Sequence, residues 1–270
     1  MREAVIVIPA RYASTRYPAK PLATLKGATG IERTLLERSF RAACRAAEET
    51  PGVTAVYVAT DDARIADEAA RIGAEVILTD PECANGTERV AQAVTRGGLT
   101  QPIVVNLQGD APLTPPHFVT ALIAAMREDD SRQVATPVLR CDREALDNFL
   151  ADRKAGRVGA TTVVRDMTGN AIYFSKEVIP FTGSLKRHDP IPVFHHVGLY
   201  AYTPEALTLY AGLAPGELER IEGLEQLRFL EHGHKIAAVE VTAPGAAFWE
   251  LNNPSDVPLI EGYLKRMGIE

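Results

Sequence analysis

Residues 8–22, IPARYASTRYPAKPL, place Arg11, Arg16 and Lys20 in one stretch, with Lys26 shortly after and no acidic residue between Glu3 and Glu32. Arginine forks match paired phosphate oxygens and lysine adds a compact point charge, so the chemistry such a loop offers is polyphosphate binding. Ala10, Ala13, Ser14 and Thr15 are small enough for a ligand to approach the backbone, while Pro18 and Pro21 stiffen the loop. The competing reading is a solvated loop that happens to lack acids. Two common nucleotide frameworks are missing. There is no G-x-x-x-x-G-K-[ST], and no G-x-G-x-x-G comes after the first apolar run.

A second segment, residues 104–112 (VVNLQGDAP), delivers Gln108, Gly109 and Asp110 at the end of an apolar run. A carboxylate facing a phosphate loop is a natural Mg²⁺ ligand, although Asp also serves in ordinary turns before proline. In the third, residues 83–89 (CANGTER), Asn-Gly makes a turn and Thr87 opens a helix. Exposed N–H groups there could read a base or hold an anion. Further on, His196 and Tyr200 lie an even number of residues apart, which puts them on one face of a strand. In LERIEGLEQLRFLEH (218–232), Leu218, Ile221, Leu224, Leu227 and Leu230 predict one helix face, with Glu225 and Gln226 on its flank.

These groups need a scaffold, and the first half supplies one. Continuous apolar strands are predicted at 4–9, 55–60 and 103–107, with a shorter one at 75–78; helices at 30–50, 61–72, 88–94 and 116–127 separate them. Strands joined by helices imply βαβ units and a mostly parallel sheet, whose carboxyl edge is where open α/β sheets bind ligands. The second half changes to antiparallel signals, with strands at 133–138, 160–164, 171–174 and 197–202 and a polar, proline-bounded loop at 182–192. Helices at 204–211 and 218–232, a strand at 236–241 and a helix at 253–267 complete the chain. One sheet with an inserted subdomain is expected, residues 1–130 forming a nucleotide half and 131–250 an acceptor-binding and dimerisation half of a single 1–270 domain.

Composition narrows the class. With 270 residues, 46% hydrophobic and 24% charged, the chain is globular, and its net charge of −6 disfavours a general nucleic-acid binder. No apolar run reaches the ~20 residues that span a bilayer, and the opening MREAVIVIPARY is too short for a signal sequence. Three scattered cysteines form neither a disulfide frame nor a zinc knuckle. A cytoplasmic protein with no membrane or nucleic-acid partner is expected.

Taken in order, IPARYASTRYPAKPL, TDPECANGTER, VNLQGDAP, NAIYFSKEVIPF, HHVGLYAY and LEQLRFL resemble segments of the 3-deoxy-manno-octulosonate cytidylyltransferases, the CMP-Kdo synthetases, over essentially the whole chain. The resemblance implies a glycosyltransferase-A-like α/β fold, a homodimer, Mg²⁺, and transfer of CMP from CTP to a sugar acid with release of pyrophosphate. Arg11, Arg16 and Lys20 would grip the triphosphate beside Ala10 and Ser14. Asn85, Gly86 and Thr87 would lie near the cytosine, with Gln108 between nucleotide and acid. Asp110 would hold the metal, and Lys176, His196, Tyr200, Glu225 and Gln226 would line the acceptor pocket.

Departures from the family pattern fall on the acceptor and metal side. Asn252 stands where a second metal-binding Asp is expected, with Glu250 two residues away as a substitute. An amide oxygen can coordinate Mg²⁺ but brings no charge. Lys176 replaces an arginine expected at the sugar-acid carboxylate and cannot form its fork. Thr162 falls in a segment that loses a cation, and Ala111 replaces the glutamate of Q-G-D-E-P. The expected acceptor is therefore a 3-deoxy-ulosonic acid, a modified ulosonate or another small acid, with a silent nucleotide-binding paralogue as the competing class.

Overall fold

The computed structural model describes residues 1–13, 17–110, 112–157, 160–186, 188–243, 251 and 253–270. Its elements, in chain order, are β1 (Ala4–Ala10), β2 (Thr24–Lys26), β3 (Glu32–Thr34), α1 (Leu35–Glu49), β4 (Val53–Thr60), α2 (Ala63–Arg71), β5 (Glu75–Leu78), α3 (Gly86–Arg96), β6 (Ile103–Leu107), α4 (Pro116–Glu128), β7 (Val134–Arg140), α5 (Arg143–Lys154), β8 (Thr161–Arg165), β9 (Ala171–Ser175), β10 (Phe194–His196), β11 (Leu199–Tyr202), α6 (Pro204–Gly212), α7 (Glu217–Glu222), α8 (Leu227–Glu231), β12 (Ala237–Glu240) and α9 (Val257–Met267).

Every residue of β1 is buried because both faces of its sheet are covered. Ala4, Ile6 and Ile8 point into a core shared with α1, α2 and α4, whereas Val5 and Val7 point into one shared with α3, α6 and α8. Fully burying one such isoleucine or valine stabilises the fold by about 1.5–3 kcal/mol, so this strand is a fixed platform. It pairs in parallel with β4 and with β6, and β4 pairs in parallel with β5. The strand order β5-β4-β1-β6-β11-β7-β10-β8-β9 carries one sheet through both halves of the chain, and β12 lies parallel on β7. The fold is mixed α/β with a parallel centre, and β7 to β11 make the antiparallel additions.

Four expected elements differ. Residues 32–34 pair with 24–26 in a small hairpin, so α1 starts only at Leu35, where the Thr34 hydroxyl accepts from Glu37 N. The strand expected over 197–202 starts only at Leu199, after an irregularity that separates it from β10: five residue steps from His196 to Ala201 match three from Val138 to Ala135 on β7. That irregularity at Val197–Gly198 sends β10 to pair with β8 and β11 to pair with β6. The single helix expected over 218–232 is two. Gly223, at φ 61°, ends α7, and α8 starts at Leu227. The apolar period does not survive the break, since Ile221 is 72% exposed while Leu227 is fully buried. The last helix starts at Val257, after a 3₁₀ turn over Pro254–Asp256. α5 has no counterpart in the sequence reading; it buries Leu146 in a small satellite cluster with Cys141, Ile191 and Val193.

Candidate active site

The carboxyl ends of β1 and β6 lie side by side, and the segments leaving them form the rim of a cavity. It is lined by Pro9, Ala10, Arg11, Lys20, Pro21, Ala84, Asn85, Gly86, Arg89, Gln108, Gly109 and Asp110. Seven residues expected at a nucleotide site from separate parts of the sequence therefore meet here: Ala10, Arg11, Lys20, Asn85, Gly86, Gln108 and Asp110. Lys26 does not join them; it is exposed on the β2–β3 hairpin, 3.8 Å from Glu32. Ser14, Thr15 and Arg16 lie outside the described residues, as do Ala111, Glu250 and Asn252.

Two glycines allow the close approach. A Cβ on Gly109 would sit 2.9 Å from the Pro9 carbonyl oxygen, so the β6 exit packs against β1 only without a side chain. A Cβ on Gly86 would meet the Gln108 amide at 3.1 and 3.2 Å, which places that amide directly against the start of α3. The buried Ser39 hydroxyl donates to the Gly109 carbonyl at 3.1 Å and ties α1 to the same turn.

Charge in the cavity is concentrated. Lys20 Nζ donates to Asp110 Oδ2 at 2.5 Å, and both side chains keep some exposure toward the opening. Lys20 starts a one-turn 3₁₀ helix whose N-cap, Ala19, has φ 57°. A non-glycine residue in the left-handed region costs on the order of 1 kcal/mol, and strain of this kind is retained where loop geometry matters. Arg11 is exposed, its Nη1 3.5 Å from the Ala84 carbonyl. In the adjoining stretch, the Arg64 guanidinium stacks 3.3 Å over the Tyr12 ring and is held by both oxygens of Asp62.

Arg89 is a lining residue that sequence reading misses. Spacing alone places it in the first turn of a helix, yet its guanidinium is buried, 3.0 Å from Asp61 Oδ1, and donates to the Thr79 hydroxyl at 2.5 Å. A buried arginine held by a carboxylate from the next strand end keeps a fixed positive charge in the wall of the site. The signal lies in pairing Asp61 with Arg89 across 28 residues, which spacing within a motif does not show.

Of the residues expected at the acceptor, Gln108 lines this cavity, whereas Lys176, His196, Tyr200, Glu225 and Gln226 form a second group on the α3 side of the sheet and do not. His196 and Tyr200 are buried with ring centroids 5.5 Å apart, so their expected common face holds despite the break between β10 and β11. His196 Nε2 bonds the buried Thr136 hydroxyl at 3.0 Å. Burial, and after it the neighbouring His195, pushes the His196 imidazole down to about 3, so the ring is neutral. Thr87, expected near the cytosine, does not line the cavity: it is buried, its hydroxyl 2.9 Å from Tyr202 Oη and its N–H directed at Glu225 Oε2 at 3.3 Å. Burial pushes the Glu225 carboxyl up to about 7. Gln226 is buried and its Nε2 has no hydrogen-bond partner among the described residues. Lys176 is half-buried beside Gly223; its backbone N–H bonds Glu222, and its ammonium has no ion-pair partner among the described residues.

No cluster of three or more His, Cys, Asp or Glu side chains suited to a metal occurs among the described residues. Among those residues, Asp110 is the one carboxylate in the cavity wall. That donor set is too small for a self-contained metal centre. It fits Mg²⁺ of the kind that binds through one or two carboxylates together with substrate phosphates.

A mixed α/β sheet whose first and sixth strands end at a cationic cavity, with Asp110 beside Lys20 in its wall, puts the candidate site at the carboxyl edge where open α/β sheets bind ligands. A family model described as Cytidylyltransferase matches residues 5–236. A 3-deoxy-manno-octulosonate cytidylyltransferase of Maricaulis maris is 42% identical over 97% of both chains. An 8-amino-3,8-dideoxy-manno-octulosonate cytidylyltransferase of Shewanella woodyi is 39% identical over 96% of this chain and 97% of that one. A solved CMP:2-keto-3-deoxy-manno-octonic acid synthetase complexed with CTP superposes with a TM-score of 0.81 at 30% identity, covering 98% of this chain and 99% of the other. This chain belongs to the cytidylyltransferase family, in its 3-deoxy-manno-octulosonate (CMP-Kdo synthetase) branch. No helix among the described residues is long and apolar enough to cross a membrane.

Proposed function

We propose that this chain transfers CMP from CTP to a 3-deoxy-ulosonic acid of the 3-deoxy-manno-octulosonate type and releases pyrophosphate. The observation that carries this reading is the meeting of Lys20, Asn85–Gly86 and Gln108–Asp110 in one cavity at the carboxyl edge of the sheet. In this reading Arg11 and Lys20 neutralise the triphosphate, with Arg16 and Ser14 completing the loop, and Asn85–Gly86 face the base. Gln108 stands between the nucleotide and the acid. Asp110 would hold Mg²⁺, with Asn252 or Glu250 as the second candidate ligand. Bound there, the metal would offset negative charge at the reacting phosphates.

The anomeric hydroxyl of the acid gives up its proton to solvent and its oxygen bonds the α-phosphorus as pyrophosphate departs on the opposite side, so one P–O bond forms while another breaks. Positioning and charge neutralisation supply most of the acceleration, and no covalent enzyme intermediate is required. On the acceptor side we assign Lys176, His196, Tyr200, Glu225 and Gln226. The ammonium of Lys176, without an ion-pair partner among the described residues, suits a carboxylate, and neutral His196 and the Tyr200 hydroxyl suit sugar hydroxyls. A homodimer and a cytoplasmic location complete the proposal, the dimer supported by the family and by apolar surface such as Phe181, which is 84% exposed.

The test is pyrophosphate release with CTP, Mg²⁺ and a panel of acids that includes 3-deoxy-manno-octulosonate and its 8-amino-8-deoxy analogue, with mass identification of the CMP conjugate. Release with one of these two is expected. CTP-induced thermal stabilisation with no release from any acid would identify a silent nucleotide-binding paralogue instead.

A further inference from the structure

The cavity and the acceptor group are connected through partly buried hydrogen bonds that converge on one hydroxyl. Asn85 faces two ways: its Oδ1 accepts from Glu88 N at 2.9 Å and caps α3, and its Nδ2 donates to Tyr210 Oη at 2.9 Å. Tyr210 Oη donates in turn to the Glu225 carbonyl at 3.2 Å. A single hydroxyl thus spans from the loop that forms the base side of the cavity to the segment carrying Glu225 and Gln226.

The ring bearing that hydroxyl is held tightly. Tyr210 is fully buried, the Arg228 guanidinium lies 4.2 Å over its face, and Phe229 packs beside it at 5.1 Å. Arg228 forks onto Glu219 at 2.8 and 2.7 Å and reaches Glu88 Oε1 with Nη1 at 3.0 Å. Glu88 closes the loop by accepting from Ala84 N at 2.8 Å. A shift of residues 84–86 or of 225–226 breaks bonds in a network centred on the buried Tyr210 and Arg228, where lost partners are costly.

We propose that Tyr210 is a positioning residue that couples the two substrates, its hydroxyl holding Asn85 and the Glu225 carbonyl in register so that each substrate tightens binding of the other. This rests on the functional reading above. Linkage makes the effect equal in both directions, and coupling of this kind is on the order of 5- to 150-fold.

The experiment measures initial rates over a grid of CTP and 3-deoxy-manno-octulosonate concentrations with Mg²⁺. The ratio of the CTP dissociation constant from free enzyme to its KM at saturating acid is the coupling factor. The parent is expected to give about fivefold or more. Tyr210→Phe, which keeps the ring and deletes the hydroxyl, is expected to bring the factor to within about twofold of one. In the same variant kcat at double saturation stays within about threefold of the parent, whereas a general loosening of the site would lower kcat. If Tyr210→Phe does not fold, Arg228→Lys, which loses the fork over the ring, is judged by the same ratio. A parent factor of one, or a factor unchanged in the variant, overturns the proposal alone. Absence of turnover by the parent overturns the functional reading and this proposal with it.

Discussion

The two halves of the site treat polar groups in opposite ways. At the cavity, Lys20 and Asp110 form an ion pair with some access to the opening, and Arg11 is exposed beside them. Around His196 and Glu225, ionisation is suppressed: burial pushes the imidazole down to about 3 and the carboxyl up to about 7, and raises the Tyr202 and Tyr210 phenols. A triphosphate is multiply charged and needs countercharge, whereas a sugar is mostly hydroxyl and is read by neutral donors and acceptors held in fixed positions. One half works through charge, the other through placement. Substitutions on either side can break this contrast.

The largest effect is expected at the charged half. Lys20→Ala removes the cation beside Asp110 and should lower kcat/KM for CTP by about 10²-fold or more, with a smaller effect on the melting temperature because the Asp110 carboxylate left behind keeps contact with water. Steady-state kinetics and a thermal melt on the same sample check it. A loss smaller than about threefold would remove Lys20 from the mechanism.

Gly86→Ala should be intermediate, raising KM for CTP about tenfold with kcat less affected. The added methyl presses on the Gln108 amide at 3.1–3.2 Å, and the amide is the far end of a side chain that can yield. An unchanged KM would show that nothing binds against the start of α3.

The smallest effect is a pH dependence from the neutral half. The Glu225 carboxyl titrates at about 7 in the fold against an ordinary 4.5, so the folded chain holds a proton that the unfolded chain has already lost between these values. Its contribution to stability is therefore full below about pH 4.5 and is lost as pH rises through 7. Arg228 and the Thr87 N–H oppose the shift and Glu219 adds to it. Glu225→Gln should accordingly match the parent near pH 4.5 and melt higher than it by a few degrees at about pH 8. Parallel melting curves at both pH values would contradict the buried, protonated carboxyl.

Much of the charged half was legible in the sequence because its residues sit in contiguous motifs at strand ends. A short, valine- and isoleucine-rich run such as AVIVIP reads as a strand covered on both faces, and the residues leaving it then lie at the sheet edge. Arg89 was hidden because its partner Asp61 comes from a different βαβ unit. In the second half the signal was weaker for a physical reason. The leucine spacing across 218–230 crosses Gly223, and a left-handed residue resets the helix phase. Likewise the break at Val197–Gly198 depends on whether β6 or β8 is the neighbour, a tertiary choice that local alternation does not encode. α5 escaped because it covers only a satellite cluster, and Leu150 on it is 41% exposed.

The proposed function stands or falls on whether the triphosphate of CTP lies against Arg11 and Lys20 while its base reaches Asn85 and Gly86. A crystal structure of the protein grown with CTP and Mg²⁺ decides this. Phosphate oxygens are expected within hydrogen-bonding distance of Lys20 Nζ, with the metal on Asp110 and the cytosine against residues 85–86. Well-defined CTP bound away from the ends of β1 and β6 would contradict it.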